Sequence, residues 1–214
     1  PCLQMKPQIN YLKFYKKYRC KIGDLYPSEK AILTQVDLRK KSILDVGCAC
    51  GGFYKIFKKI AGDVDYSGMD VSPELIGWAK RRFPQIADHF RVNSGTRFPF
   101  KDKKFDIVFC TSVQAHCLQY GKLLRECWRV SKESLIFDFR FSLKDKTTDL
   151  AGADADMPYI VLNINDMFDL IKSLDGLKEL KMDSYKIQPN RNHLKENGIL
   201  KDHAVYCGLL LLKR

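Results

Sequence analysis

From Ser42 onward the chain alternates short apolar runs with helical segments, and this alternation restricts the possible folds more than any other feature. Strands are expected at Ser42–Val46, Tyr66–Asp70, Phe90–Asn93, Phe105–Thr111 and Ser134–Phe139. Helical spacing fills most of the intervals, at Gly52–Ile60, Pro73–Arg82 and Leu118–Val130. Strand–helix–strand units close right-handed, so the expected core is an open, mostly parallel sheet with helices on both faces. The last third departs from this rhythm. A helix at Asp166–Leu174 leads to a strand near Leu177–Ile187, a polar loop and a final strand near Ala204–Leu212. Two strands joined without a crossover helix pair antiparallel, so the sheet should end in a hairpin.

Ahead of the alternation, Ile9, Leu12, Tyr15 or Lys16, and Arg19 fall at helical spacing, and a second helix is expected from Ser28, its N-cap, to about Val36. With 214 residues, 45% hydrophobic and 29% charged, the chain has the length and balance of one well-cored globular domain. Its longest apolar stretch, Gly208–Leu212, is too short to span a bilayer, and no signal pattern opens the sequence. No membrane partner is therefore expected. The eight cysteines contain no Cys-x-x-Cys and no zinc-ligand spacing, which points to reduced thiols, a cytoplasmic setting and no metal. A net charge of +12 admits nucleic acid or another anionic partner, but a lysine-rich solvated surface explains it equally. The excess is uneven: residues 1–41 hold ten Lys/Arg against three Asp/Glu, and residues 141–166 hold two against five.

The first strand ends in "ILDVGCACGG", residues 43–52. Ligands of open α/β sheets bind beyond the carboxyl ends of the strands, and this small-residue turn opens such a place. Gly47, Ala49, Gly51 and Gly52 allow a sharp turn against a ligand, and the next helix offers free N–H groups to an anion. Gly47-x-Ala49-x-x-Gly52, with Asp70 about 20 residues on, also fits the dinucleotide pattern, so an NAD-binding oxidoreductase competes. Asp45 argues against it, because a carboxylate before the turn repels a pyrophosphate and suits a cationic group. S-adenosylmethionine offers a carboxylate for the helix, an ammonium and sulfonium for an acid, and a ribose for Asp70.

The same segment resembles the first motif of class I S-adenosylmethionine-dependent methyltransferases, a strand followed by D-x-G-x-G-x-G, with Ala49 replacing the middle glycine. "DYSGMDVSPELIGWAK" resembles the family's second strand, whose acid, here Asp70 followed by Val71, holds the ribose. "NSGTRFPFKDKKFDIVFC" resembles the stretch that places Ser94 and Gly95 at the adenine, where the family commonly has Asp. "TSVQAH" and "LLRECWRVSKESLIFDF" match the segments after strand four and around strand five, so the likeness spans about residues 42–140. It implies a Rossmann-like, doubly wound α/β fold: a mostly parallel seven-stranded sheet with an antiparallel C-terminal hairpin strand and an N-terminal helical lid. A single domain over 1–214 is expected, with the lid at 1–41, the cofactor core at 42–140, and a substrate-side insert and hairpin at 141–214.

On this resemblance the cofactor-binding set is Asp45, Gly47, Cys48, Ala49, Gly51, Asp70, Val71, Ser94, Gly95, Thr111, Ser112 and Val113, with Tyr11 and Tyr15 from the lid. Cys48 and Cys50 are expected to pack in the loop rather than hold a metal. His116, following strand four, is the candidate general base, because histidine accepts a proton near neutral pH. His193 and His203 are alternatives. The D/N-P-P-Y/F motif that holds a flipped base is replaced by Cys110-Thr111-Ser112-Val113, and Cys110 lies inside a strand, so nucleic acid is disfavoured but stays open.

The likeness is greatest to the small-molecule branch of quinone and natural-product biosynthesis. It implies methyl transfer from S-adenosylmethionine, with S-adenosylhomocysteine as product, to N or O, with C less favoured. RNA or protein methylation, and a non-catalytic cofactor-binding protein, remain as alternatives. Asp149, Asp154 and Asp156 in "TTDLAGADADMPY" are candidate contacts for a cationic or amine acceptor, against the simpler reading of a solvated loop. The oligomeric state is left open.

Overall fold

The computed structural model describes residues 9–144, 147–149, 158–187 and 205–214, with side chains at 9–11 and 147–149 left aside. Five parallel strands form the expected core: β1 Ser42–Val46, β2 Asp65–Asp70, β3 Phe90–Val92, β4 Phe105–Cys110 and β5 Ser131–Ser142. They lie in the order β3-β2-β1-β4-β5. Beyond β5 the sheet turns antiparallel. The last strand, β9 Val205–Lys213, pairs with β5 from Ser134↔Lys213 to Phe141↔Tyr206. Its other edge takes β8, Glu179–Ile187. These are the seven strands expected, and two further strands, described below, bring the sheet to nine.

Strand periodicity divides the core between the two faces of the sheet. Leu44, Val46, Val108, Leu135, Phe137, Phe139, Leu210 and Leu212 pack on one side. There they meet Leu123, Leu124, Cys127 and Trp128 of α5 (Tyr120–Val130) and Met167 and Ile171 of α6 (Ile164–Lys172). Ile43, Tyr66, Ile107, Phe109, Ile136, Leu209 and Leu211 alternate with them and face the other way. On that side lie Ile32 and Leu33 of α2 (Pro27–Leu33), Phe53, Ile56 and Phe57 of α3 (Gly52–Ala61), and Ile76 and Ala79 of α4 (Pro73–Arg82). α1 (Ile9–Lys17) sets Leu12 and Tyr15 against Ala49, Cys50 and Leu75, over the glycine-containing turn.

Several boundaries differ from those the sequence suggests. The first helix stops at Lys17 rather than continuing to Ile22, and Arg19 takes a left-handed backbone with φ of 61°. The second starts at Pro27, and Tyr26, not Ser28, is its N-cap. Proline pre-sets the first helical turn, and the Glu29 carboxylate accepts the Tyr26 N–H at 2.8 Å, so local chemistry favours this start. Ser28 is buried inside the first turn. The insert after β5 contains a strand pair in place of a plain loop: β6 (Thr147–Asp149) pairs antiparallel with β7 (Tyr159–Asn163). β7 extends the end of β5 in parallel through Phe141↔Leu162 and Ser142↔Asn163.

Phe137 is fully buried in β5 and packs against Phe139, the ring centroids 5.0 Å apart. Phe137→Ala should cost about 3–5 kcal/mol through lost burial and an unfilled cavity, read as a lower midpoint in urea unfolding.

Candidate active site

The carboxyl ends of β1, β2 and β4 meet at the glycine turn. Gly47 N–H and Cys48 N–H both donate to the Met69 carbonyl, at 2.7 and 2.9 Å, which bends the chain off β1 and across β2. Gly47, Ala49 and Gly51 have φ of 78°, 47° and 71°, the left-handed region where side chains are strained. Space is also short. A Cβ on Gly47 would lie 2.3 Å from the Val113 side chain, and one on Gly52 would lie 2.1 Å from the Arg19 carbonyl oxygen. The turn is therefore clamped between the loop after β4 and the segment after α1.

Asp70 ends β2 and ties this turn to the next one. Its carboxylate accepts Ala49 N–H and Ser72 N–H, each at 2.9 Å. Burial raises its pKa, while those backbone donors work in the opposite direction. The Asn93 N–H donates to the Asp70 carbonyl at 2.9 Å, which brings the loop after β3, with Ser94 and Gly95, to the same edge. Gly95 is left-handed, with φ of 80°, and its N–H donates to the Asn93 side chain at 2.9 Å. Ser94 is exposed, and its hydroxyl is 3.3 Å from that of Thr96. Val71 is half-buried beside Asp70.

Asp45 is nearly inaccessible, and its carboxylate accepts the Tyr66 hydroxyl at 2.6 Å. Burial pushes its pKa up to about 7; the Tyr66 hydrogen bond opposes this, nearby Asp70 adds to it, and Arg19 lowers it. Because the folded carboxyl holds its proton more tightly than an unfolded one, this group's contribution to stability falls as pH rises toward 7. Tyr66 is a partner that the sequence does not reveal. Cys48 and Cys50 are buried free thiols. Burial pushes Cys48 upward, and Cys50 to about 11, so both thiols hold their protons. Among the described residues no group of three or more His, Cys, Asp or Glu is placed to hold a metal ion.

A second buried polar group lies on the α2 side, past the ends of β4 and β5. The Arg19 guanidinium pairs with Glu29 through both nitrogens, one contact being 2.8 Å, and lies 4.4 Å from the Tyr26 ring and 5.0 Å from that of Phe53. Glu29 also accepts the Thr111 hydroxyl at 3.3 Å. Ser112, left-handed at φ of 61°, donates its N–H to Asp138 at 2.8 Å, and Asp138 pairs with Arg140 at 2.9 Å. The Arg140 N–H donates to the Gln114 side-chain oxygen at 3.0 Å, which fixes the amide orientation. The Gln114 amide nitrogen is buried, with no hydrogen-bond partner among the described residues. Arg19, Glu29, Gln114, Asp138 and Arg140 are absent from the residues expected from sequence, and their common signal, a polar residue on an otherwise apolar face, appears only once the faces are known.

His116 lies in the 3-10 turn Gln114–His116 after β4, its Nδ1 at 3.0 Å from the Pro158 carbonyl. A carbonyl only accepts, so Nδ1 carries the proton and Nε2 is the basic nitrogen of the neutral ring. Tyr15 packs at the turn through Ala49, Cys50 and Leu75. The side chains of Tyr11 and Asp149, and all of Asp154, Asp156, His193 and His203, lie outside the described residues.

Residues 44–137 match the family model described as a methyltransferase domain. A probable phthiotriol/phenolphthiotriol dimycocerosates methyltransferase 2 from Mycobacterium ulcerans is 30% identical over 50% of this chain and 41% of its own length. The fatty-acid O-methyltransferase of Mycolicibacterium smegmatis is 26% identical over 73% of this chain and 58% of its own. The chain thus spans about two fifths to three fifths of the length of these relatives. The S-adenosylmethionine dependent methyltransferase structure from Mesorhizobium loti aligns over 89% of this chain and 99% of its own, with a TM-score of 0.65 at 11% identity. The fold is the class I, Rossmann-like one that the sequence resemblance implies.

Gly52→Ala should free the segment around Arg19 without unfolding the sheet. Limited proteolysis should then cut residues 13–21 several-fold faster, with the thermal midpoint of the core little changed.

Proposed function

We propose that the chain transfers a methyl group from S-adenosylmethionine to a nitrogen or oxygen of a small-molecule acceptor. The observation that carries this reading is the Asp70 carboxylate, fixed by Ala49 and Ser72 N–H beside a turn too crowded for a Cβ at Gly47. These residues fit the cofactor by its chemistry. Asp70 suits ribose hydroxyls, the loop at Ser94–Gly95 lies on the same edge, and Asp45 supplies an acid for an ammonium. When bound, the sulfonium supplies an activated methyl group. The chain's own part is alignment and proton handling. In-line displacement draws much of its rate from positioning, so an amine acceptor needs no strong base. A hydroxyl acceptor must lose a proton, and Nε2 of His116 is the group assigned to take it. The buried Gln114 amide is a donor suited to an acceptor oxygen, since an unsatisfied buried donor gains most from a partner.

Calorimetry tests the cofactor class. S-adenosylmethionine and S-adenosylhomocysteine should bind and NAD should not, and Asp70→Ala should weaken binding at least tenfold, a loss of about 1.4 kcal/mol. Failure to bind either sulfur ligand defeats the proposal. A labelled-methyl screen across cell metabolite and RNA fractions then separates small-molecule from nucleic-acid acceptors.

Asp45 predicts a pH signature. Its carboxyl titrates near 7, and a cationic ligand favours the ionised form, so affinity for S-adenosylmethionine should rise as pH increases from 6 to 8. Binding at pH 7 should release protons, measurable as a buffer-dependent calorimetric enthalpy. Asp45→Asn should remove both effects.

A further inference from the structure

Nine large apolar side chains are exposed among the described residues, and they are not spread evenly. Phe14, Tyr18, Ile22 and Tyr26, at every fourth position, belong to the N-terminal segment that crosses the glycine turn. Val92, Leu118 and Leu143 follow or end β3, β4 and β5, at the same edge of the sheet. Only Ile60 and Leu180 lie elsewhere. Leu143 is 61% exposed and Val92 51%, which is costly for aliphatic groups that water must cover.

The charges of the N-terminal segment from Leu12 to Tyr26, with Glu29 just beyond it, are sorted by sign. Glu29 is buried against Arg19, and Asp24 turns its carboxylate onto the N–H groups of Cys20 and Lys21. Lys13, Lys16, Lys17 and Lys21 are exposed, and none forms an ion pair with an acid among the described residues. The acids of the N-terminal segment thus serve the interior while its lysines face outward. Two of the aromatics, Phe14 and Tyr18, lie together, with ring centroids 5.1 Å apart.

We propose that this edge docks on an anionic lipid bilayer, with the apolar side chains entering the headgroup boundary and the lysines meeting the lipid charge. An apolar set rimmed by lysines is the composition that lies on a membrane surface. The aliphatic members decide between this occupant and single-stranded nucleic acid, because Ile22, Val92, Leu118 and Leu143 cannot stack on bases. No helix among the described residues is long and apolar enough to cross a membrane, so the contact is one of surface only. Docking here turns the mouth of the proposed methyl-transfer site toward the lipid, which favours an amphiphilic acceptor. Only that last step rests on the proposed function.

Co-sedimentation of the full chain with vesicles tests the docking without any turnover. Vesicles of equal parts phosphatidylcholine and phosphatidylglycerol should carry the protein down, and phosphatidylcholine alone should not. Added salt should weaken the binding. Phe14→Ser with Ile22→Ser should reduce it roughly tenfold or more, as should Lys13→Gln with Lys17→Gln and Lys21→Gln. Unchanged S-adenosylhomocysteine binding by these variants shows that they are folded. No binding to the mixed vesicles overturns the proposal. So does vesicle binding that the Phe14/Ile22 variant leaves intact, or a preference for single-stranded RNA that abolishes vesicle binding.

Discussion

The close approach at the glycine turn is the constraint on which the rest of the site depends. Val113 approaches Gly47, Phe90 approaches Gly51, and the Arg19 carbonyl approaches Gly52. Four segments far apart in sequence meet there, and a side chain at any of these glycines would force one of them away. The Met69 carbonyl takes two N–H groups of the turn and Asp70 takes a third, so β2 holds it in place. Because the loop after β4 is itself stapled to β5 through Ser112 and Asp138, the constraint reaches the acceptor side without any long connecting element.

Charge is distributed around this turn in layers. Innermost are Asp45 and Asp70, whose pKa values burial raises and whose hydrogen bonds come from Tyr66 or the backbone rather than from cations. Buried carboxylates without a fixed counter-ion carry an energetic penalty, which a cationic ligand would relieve. A second layer consists of true ion pairs, Arg19 with Glu29 and Arg140 with Asp138, which neutralise themselves. The self-paired layer is structural in character. The unpaired layer is where affinity for a sulfonium amino acid would arise.

Much of this was legible in the sequence, and the division follows physical range. Short apolar runs locate β1, β2, β4 and β9 to within a residue or two, because each strand's pattern is set by its own burial. The glycine turn and Asp70 were legible because left-handed backbone needs small residues and because the family likeness carries both. β7 was missed: "YIVLN" is short, follows an acidic insert, and acquires its strand character from pairing with the tip of β5. Arg19–Glu29, Tyr66–Asp45 and Gln114 were missed for a related reason. Each is defined by a partner across the fold, and no local spacing announces it.

The same distinction bears on the strong positive charge. As a bulk quantity, +12 favoured no partner over another. Its meaning depends on which acids remain outside to balance it, and the fold removes two of them from the N-terminal surface: Glu29 into an ion pair, Asp24 into a backbone cap. The lysines that remain share the segment with exposed aliphatic and aromatic groups and form no ion pair with an acid among the described residues. A solvated lysine surface intersperses both signs and few apolar groups. An edge that is basic and apolar together, at the mouth of a ligand site, has the character of a contact surface.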